Sequence, residues 1–196
     1  MELTKPITYF LTTGEVNTTR TFELARARAL ELGLKTVLVA STSGKTGALA
    51  AEFFKGFEVV VVSHSAGFRE DNLQELTSDS RQKIEGLGGK VLTATHAFGG
   101  INRAVRRKFH TYQVDEIIAG TLKILGQGLK VVIEIALMAA DGGAVRTDKP
   151  VLCIAGSNAG ADTAVVLIPA YSQSFFDIRL LEVICLPSPE HREFQK

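Results

Sequence analysis

The chain has 196 residues and a formal net charge of +1, with 45% hydrophobic and 22% charged residues. This is ordinary globular composition, which excludes a disordered or fibrous chain, and the length suits one well-packed domain over residues 1–196. A near-neutral chain gives no electrostatic reason to expect a nucleic-acid or membrane partner. Any charged ligand must therefore be held by a local site.

The two cysteines and the N-terminal segment indicate the compartment. Cys153 and Cys185 each lie in an apolar run, so we interpret them as small buried hydrophobic residues, and we expect neither a disulfide framework nor a metal site. The first six residues contain no apolar signal core, and no apolar stretch is long enough to cross a bilayer. We expect a soluble, cytoplasmic protein.

The first half of the chain alternates apolar runs of strand length with segments of helical periodicity. The runs predict strands at residues 7–11, 36–40, 58–63 and 90–93. The periodic segments predict helices at residues 19–32, 71–87 and 101–109, and a short helix that ends near residue 54. Repeated strand, loop and helix units favour a parallel sheet with helices on both faces.

The second half predicts helices at residues 113–125 and 129–140, the latter apolar nearly all round and therefore buried. Strands follow at residues 151–155, 163–168 and 180–186, and residues 187–196 form a polar tail. The gap between the first two of these strands is too short for a crossover, so the second should be antiparallel. The predicted fold is a single doubly wound, mostly parallel α/β sheet with an antiparallel C-terminal strand.

A hydroxyl-rich glycine turn lies between the predicted strand at 36–40 and the helix that follows. The first turn of a helix leaves backbone N–H groups unpaired and carries the positive end of the helix dipole, so this arrangement suits an anion. Hydroxyls and one lysine add further donors, and phosphate is the fitting ligand. The alternative is a turn selected only for tight packing. The residues of this anion cradle are Ser41, Thr42, Ser43, Gly44, Lys45 and Thr46.

The end of the cradle matches the end of a nucleotide-binding P-loop, which raises the possibility of a phosphotransferase. The first glycine of that pattern would fall at position 39, where the chain has Val39 inside the strand. A clear acidic partner for a metal ion is also missing from the sequence. The phosphotransferase hypothesis is accordingly the weakest.

Three further loops follow predicted strands, at residues 64–67, 95–100 and 156–162. Because the carboxyl ends of parallel strands meet at one edge of a sheet, these loops and the cradle should form one crevice. His64 and His96 each follow a strand and could bind a ligand or titrate, although loop histidines are more often solvated or structural. Phe98 could stack on an aromatic ring or fill the core.

One carboxylate lies in an apolar helix, at Glu134. An unpaired buried carboxylate is costly, so it must meet a donor, which could be a ligand hydroxyl or a backbone amide. The predicted helix at 101–109 carries four basic residues that would ordinarily form a solvated face. Of these, Arg103 is the one closest to the helix start and to a bound anion.

The segment from Asn17 to Val62, with its Ser41 to Thr46 turn, resembles the C-terminal α/β domain of pyruvate kinases. In those enzymes the corresponding turn holds the phosphate of a sugar-phosphate effector. No counterpart of their catalytic barrel is present in this sequence, and Lys45 stands where the residue varies between those enzymes.

From about Leu11 to Leu186 the chain is more similar to free-standing, largely uncharacterised prokaryotic proteins classed with that domain. The shared motifs are Thr95-His96-Ala97-Phe98, Gln127-Gly128, residues 134–141 and residues 160–164. Members of that group are associated with bound flavin mononucleotide (FMN). The resemblance implies an FMN site with its phosphate on residues 41–46. As a hypothesis, the ring lies toward His64, His96, Phe98 and Gln127, and Thr95 and Glu134 complete the predicted cofactor-binding residues.

Two functional hypotheses remain beside the phosphotransferase. The first is binding of a phosphorylated aromatic cofactor, FMN, with a flavin-dependent redox step as the natural reaction. The second is a non-catalytic module that senses a sugar phosphate or another phosphometabolite. The apolar helix around Ile133 and the related domain's role at subunit interfaces also suggest a homo-oligomer.

Overall fold

The computed structural model describes residues 2–188, whose strands form one seven-stranded sheet. No helix within that range is long and apolar enough to span a membrane. The strands are β1 (Thr8–Phe10), β2 (Thr36–Ala40), β3 (Glu58–Ser63), β4 (Lys90–Thr93), β5 (Val151–Ala155), β6 (Thr163–Ile168) and β7 (Arg179–Pro187). The helices are α1 (Thr18–Glu31), α2 (Lys45–Phe53), α3 (Ser78–Gly86), α4 (Ile101–Phe109), α5 (Val114–Lys123) and α6 (Gln127–Asp141), with 3₁₀ turns at Glu15–Asn17 and Ser172–Asp177.

The strand order is β1-β7-β6-β5-β2-β3-β4, and every neighbouring pair is parallel except the two that involve β6. The chain runs outward from β2 to β3 and β4, and then returns through α4, α5 and α6 to β5 on the other side of β2. Strand order therefore reverses between β2 and β5. This confirms the predicted mostly parallel sheet and the antiparallel strand at 163–168.

Helices cover both faces of the sheet, as predicted. Helices α1, α2 and α3 pack on one face around fully buried Phe54, while α5 and α6 pack on the other. The central strands are buried on both sides, which explains their continuous aliphatic runs. Cys153 and Cys185 are buried free thiols within the core, as expected.

Helix α6 lies across the middle of its face, and its buried residues extend from Gly128 to Ala140. Gly128 allows a close approach to the sheet, because a Cβ atom there would lie 2.0 Å from Thr163 Oγ1. The expectation that this helix is buried is confirmed. Its apolar surface is covered within the chain, so Ile133, only 5% exposed, cannot supply the oligomer contact inferred from the sequence.

The predicted helix at 71–87 is wrong in its first part, because α3 begins only at Ser78. Thr77 has an extended backbone and its hydroxyl accepts from Ser80 N–H at 3.2 Å, which caps the helix there. Asn72 adopts a left-handed conformation with φ of 60°, which a continuous helix does not allow. Residues 70–77 instead form a loop. The predicted polar tail at 187–196 falls largely outside the described residues.

Candidate functional site

A crevice of about 530 Å³ opens at the carboxyl edge of the sheet, where strand order reverses between β2 and β5. All four loops predicted to meet there contribute to its wall. Residues 41–43 follow β2, His64 follows β3, His96 follows β4, and residues 156–160 follow β5. Open α/β sheets bind ligands at this position.

The cradle between β2 and α2 is held open by short-range hydrogen bonds. Ser41 Oγ accepts from Gly47 N–H at 3.0 Å, which fixes the loop over the first turn of α2. Gly44 has φ of 91°, and a Cβ atom there would lie 2.3 Å from Ser80 Cβ, so only glycine fits. Within residues 2–188 the N–H groups of Gly44 and Thr46 have no hydrogen-bond partner. These two donors are available to an anion.

Lys45 extends from the same helix start into solvent, with 70% of its side chain exposed. Its ammonium contacts Glu15 Oε1 at 2.5 Å, in the turn that follows β1. An exposed ion pair of this kind contributes about 0–1 kcal/mol, so an arriving anion can compete for Lys45. Lys45 can therefore exchange its contact with Glu15 for a contact with a bound anion.

His64 connects the cradle to the loop at residues 70–77. Its Nδ1 lies 2.7 Å from Glu75 Oε2, and its Nε2 lies 3.3 Å from Thr42 Oγ1. Arg69 Nε lies 3.3 Å from the other oxygen of Glu75. Burial lowers the pKa of His64 and outweighs the opposing effect of Glu75, so the fold favours the neutral imidazole.

The other end of the crevice contains a second carboxylate and histidine pair. The side chain of Glu134 is only 6% exposed and forms an ion pair with the ammonium of Lys130. The N–H group of Phe98 donates a hydrogen bond to Glu134 Oε1 at 3.2 Å. His96 Nδ1 lies 3.6 Å from the same oxygen. Burial alone would raise the pKa of Glu134, but His96 and Lys130 outweigh it and hold that pKa at about 2.

His96 is 90% buried, and its Nε2 is buried with no hydrogen-bond partner in the described part of the chain. Phe68 stacks on the His96 ring, with centroids 4.4 Å apart and planes 22° from parallel. Arg103 lies 4.5 Å from the Phe68 ring centroid. This wall offers an aromatic surface, a cation and one unsatisfied polar atom to a ligand.

The loop after β5 is fixed by a fully buried carboxylate. Asp162 Oδ2 accepts from Gly14 N–H at 2.8 Å and from Ser157 N–H at 3.1 Å. Ala161 N–H donates to Thr18 Oγ1 at 3.0 Å, which ties the same loop to the start of α1. The wall opposite the histidines is therefore formed before any ligand arrives.

Nine of the twelve predicted site residues line this crevice, namely Ser41, Thr42, Ser43, Lys45, Thr46, His64, His96, Gln127 and Glu134. Gly44 shapes the cradle through its backbone. Thr95 lines a neighbouring groove instead, together with Arg107 and Lys108. The Phe98 ring packs in the core beside Phe175, because its backbone is drawn inward to Glu134, and so its proposed contact with a ligand ring does not fit.

The side chains at the crevice that sequence reasoning missed include Phe68, Glu75 and Lys130. Phe68 lies in an irregular segment, and Glu75 lies in the stretch that was wrongly predicted to be helical, so the direction of neither side chain could be predicted. Lys130 had a usable signal, because it lies four residues before Glu134 on one helix face. Arg103 was considered near an anion, and it does line the crevice.

The fold and the crevice together define a doubly wound α/β domain with an anion cradle at its switch point. A family model described as "Pyruvate kinase, alpha/beta domain" matches residues 19–167. The chain belongs to this family, as the resemblance of its cradle segment indicated.

Two solved structures are also similar to this chain. One is a mutant of O-ureido-L-serine synthase bound to O-ureido-L-serine, with 17% identity and a TM-score of 0.32 over 72% of this chain. The other is NAD⁺ synthetase from Burkholderia pseudomallei, with 14% identity and a TM-score of 0.36 over 76% of this chain. The matches span 50% and 65% of those two chains. Likenesses this distant carry no argument about function.

Proposed function

We propose that the crevice binds a phosphorylated aromatic cofactor, and that this cofactor is FMN. The observation that carries the proposal is the presence of an anion cradle and an aromatic wall in one crevice. The N–H groups of Gly44 and Thr46, which have no partner among the described residues, suit the phosphate together with Lys45. The volume of about 530 Å³ lies in the range of small-ligand pockets.

The residues at the far end fit the other part of such a ligand. The orphaned Nε2 of buried His96 calls for a polar partner that the described chain does not supply. Phe68 stacks on His96 at this end, and Gln127 also lines the crevice; Phe68 replaces Phe98 as the aromatic side chain near the ligand ring. Bound FMN would supply electron or hydride transfer, while the chain would position it and limit water access.

The test is binding of FMN to the purified protein, measured by flavin fluorescence and by the absorbance of any flavin that copurifies. We expect FMN to bind at least about tenfold more tightly than riboflavin, because riboflavin lacks the phosphate that the cradle holds. Equal affinities for the two flavins would contradict the placement of the phosphate. A colourless protein that fails to bind added FMN would rule out the cofactor.

Matched lysine variants isolate the charge at the cradle. Lys45→Ala should weaken FMN binding by about three- to tenfold and leave riboflavin binding unchanged. Lys55→Ala is the control, because Lys55 is an exposed lysine just beyond the end of α2 and outside the crevice lining. An unchanged FMN dissociation constant for Lys45→Ala would show that the phosphate lies elsewhere.

Membership of the pyruvate kinase α/β domain family favours a second candidate, a sensor module for a sugar phosphate. Such a ligand would use the cradle and leave the aromatic wall without a role. Calorimetric titration with a sugar bisphosphate separates the two, since a sensor would bind it and would not bind FMN. A cytoplasmic location and a homo-oligomer remain parts of the proposal, the latter testable by light scattering.

A further inference from the structure

The two contacts of His64 connect a hydroxyl, an imidazole and a carboxylate in that order. Because a carboxylate only accepts hydrogen bonds, the 2.7 Å contact with Glu75 Oε2 places the imidazole proton on Nδ1. The lone pair of Nε2 then faces Thr42 Oγ1 at 3.3 Å. This order of groups is the one that activates the nucleophile in serine hydrolases.

The carboxylate of this relay is fixed by its own loop. Gln74 Nε2 donates to the carbonyl oxygen of His64 at 3.1 Å, and Leu76 N–H donates to Gln74 Oε1 at 2.9 Å. Glu75 lies between these two residues and is only 9% exposed. The loop therefore holds the carboxylate against the imidazole.

The charged surroundings of His64 leave the imidazole able to accept a proton. Glu75 and Glu134 favour its charged form, while burial and His96 disfavour it, and burial dominates, which lowers the pKa. Arg69 contacts Glu75 from the solvent side and Arg103 lies over Phe68, next to His64. A general base must be unprotonated at the operating pH.

The loop that carries Thr42 also supplies donors for a developing negative charge. The N–H groups of Gly44 and Thr46 follow it at the start of α2 and have no partner within residues 2–188. Free backbone amides at a helix start can stabilise the oxyanion of a tetrahedral intermediate. Thr42, His64 and Thr46 thus line one crevice as nucleophile, base and oxyanion donor. The base-orienting carboxylate of Glu75 contacts His64 from outside the crevice lining.

We propose that Thr42, His64 and Glu75 form a site that hydrolyses carboxylic esters. This inference goes beyond the proposed cofactor function and does not require a bound flavin. Thr42 and His64 are the catalytic residues, and Glu75 is a positioning residue that acts through His64. The α2 amides receive the oxyanion.

The reaction balances with water as the only co-reactant. Thr42 Oγ bonds to the carbonyl carbon as its proton passes to His64 Nε2, and the carbonyl π electrons move to oxygen. The ester C–O bond then breaks, and the alcohol leaves with the proton from His64. Water, deprotonated by His64, attacks the acyl-threonine and releases the carboxylic acid, and the proton returns to Thr42.

Phosphoryl transfer to Thr42 fits the relay less well. In that reaction the attacking and leaving oxygens lie in line on opposite sides of phosphorus. One imidazole beside the nucleophile cannot also protonate a leaving group on the far side. Acyl transfer places both oxygens on the same side, within reach of a single base.

The test is hydrolysis of p-nitrophenyl acetate by the full chain without added flavin. Thr42→Ala and His64→Ala should each lower kcat/KM by at least about 100-fold, and the double variant should be no worse than either. Thr42→Ser should retain activity because it keeps the hydroxyl. His110→Ala, which removes an exposed histidine far along the chain, is the control and should match the wild type.

The positioning role of Glu75 and the identity of Thr42 as the nucleophile are tested by separate measurements. Glu75→Gln should lower kcat and move the acidic limb of the pH profile, which a merely structural change would not do. Mass spectrometry after a brief incubation should find an acetyl group on Thr42, and on the serine of Thr42→Ser. Urea unfolding of each variant shows whether it is folded. If Thr42→Ala does not fold, acetylation of the serine in Thr42→Ser becomes the test of the nucleophile.

Absence of turnover above the buffer rate, or wild-type turnover by Thr42→Ala, would overturn the proposal. Acetylation confined to lysines would overturn it as well. Because no flavin is added and turnover does not require one, failure here leaves FMN binding untouched, and failure to bind FMN leaves the esterase assay untouched. Competitive inhibition by inorganic phosphate would support a shared cradle.

Discussion

Two carboxylate and histidine pairs lie at the crevice, and they differ in what supports them: His64, His96 and Glu134 line the crevice, whereas Glu75 contacts His64 from outside its lining. Glu75 and His64 lie on loops, and both ring nitrogens of His64 have partners. Glu134 lies on buried helix α6, and its partner His96 keeps one buried nitrogen without a partner in the described residues. The first pair is internally complete, whereas the second requires something from outside the chain.

This difference separates two kinds of role. A complete chain of contacts ending at the Thr42 hydroxyl can pass a proton without a ligand. An orphaned buried nitrogen carries a desolvation cost that a bound ligand can remove. Helix α6 provides the rigidity that holds the second pair ready, and the loop at 70–77 leaves the first pair more dependent on local hydrogen bonds.

The largest expected effect is that of Glu134→Ala on stability. Removing this carboxylate leaves the ammonium of Lys130, only 13% exposed, without its partner. Loss of one member of a buried ion pair typically costs about 3–5 kcal/mol, and we expect that loss in the free energy of unfolding in urea. The double variant Lys130→Met/Glu134→Leu should recover much of it. A loss below about 1 kcal/mol would show that the pair is not desolvated.

The second prediction concerns acid. The pKa of Glu134 is lowered from 4.5 to about 2, so its contribution is fully present above pH 4.5 and is lost as the pH falls toward 2. The contribution amounts to on the order of 3 kcal/mol. The free energy of unfolding of the wild type should fall across that window, and Glu134→Gln should flatten it. Equal slopes for the two proteins would contradict the low pKa.

The third prediction concerns the Glu75 and His64 pair, whose effect on stability changes in a different pH range. Because its pKa is lowered in the fold, the unfolded chain binds the proton more readily, and stability falls as the pH drops below about 6.5. His64→Gln should remove this earlier decline and leave the one below pH 4.5. The pH at which the free energy of unfolding falls therefore shows which of the two pairs is responsible for the loss.

The sequence could predict the sheet because its strands are nearly continuous aliphatic runs and its turns carry glycine. It could also predict where the cradle and the two histidines meet, since parallel strands end at one edge. Glu75 could not be found, because residues 70–77 form an irregular loop whose path depends on contacts with His64. The direction of the Phe98 ring was equally out of reach, since Glu134 draws its backbone inward.

A glycine substitution tests whether the close packing of α6 against the sheet positions the Glu134 and His96 pair without affecting the Glu75 and His64 pair. A Cβ atom at Gly128 would lie 2.0 Å from Thr163 Oγ1 and 2.6 Å from its Cβ. Gly128→Ala should therefore cost about 1–3 kcal/mol of stability. Its effect on NMR imidazole signals should be larger for His96 than for His64.

The matched control is Gly120→Ala in α5, where a Cβ atom meets nothing within 4 Å. Alanine there should be neutral or stabilise by up to about 1 kcal/mol, because it favours the helix. If both variants were destabilised equally, the close contact between α6 and β6 would not be the cause. If His64 shifted as much as His96, the two pairs would not be independent.

The smallest expected effect is that of Glu75→Gln on stability, at about 1 kcal/mol or less. Its cationic neighbour Arg69 is 69% exposed and is resolvated when the charge is lost, and the glutamine oxygen can still accept from His64 Nδ1. Urea unfolding of Glu75→Gln beside Glu134→Gln measures the contrast directly. A loss for Glu75→Gln as large as that for Glu134→Gln would mean that both carboxylates are structural anchors, and that the loop pair is as rigidly built as the one on α6.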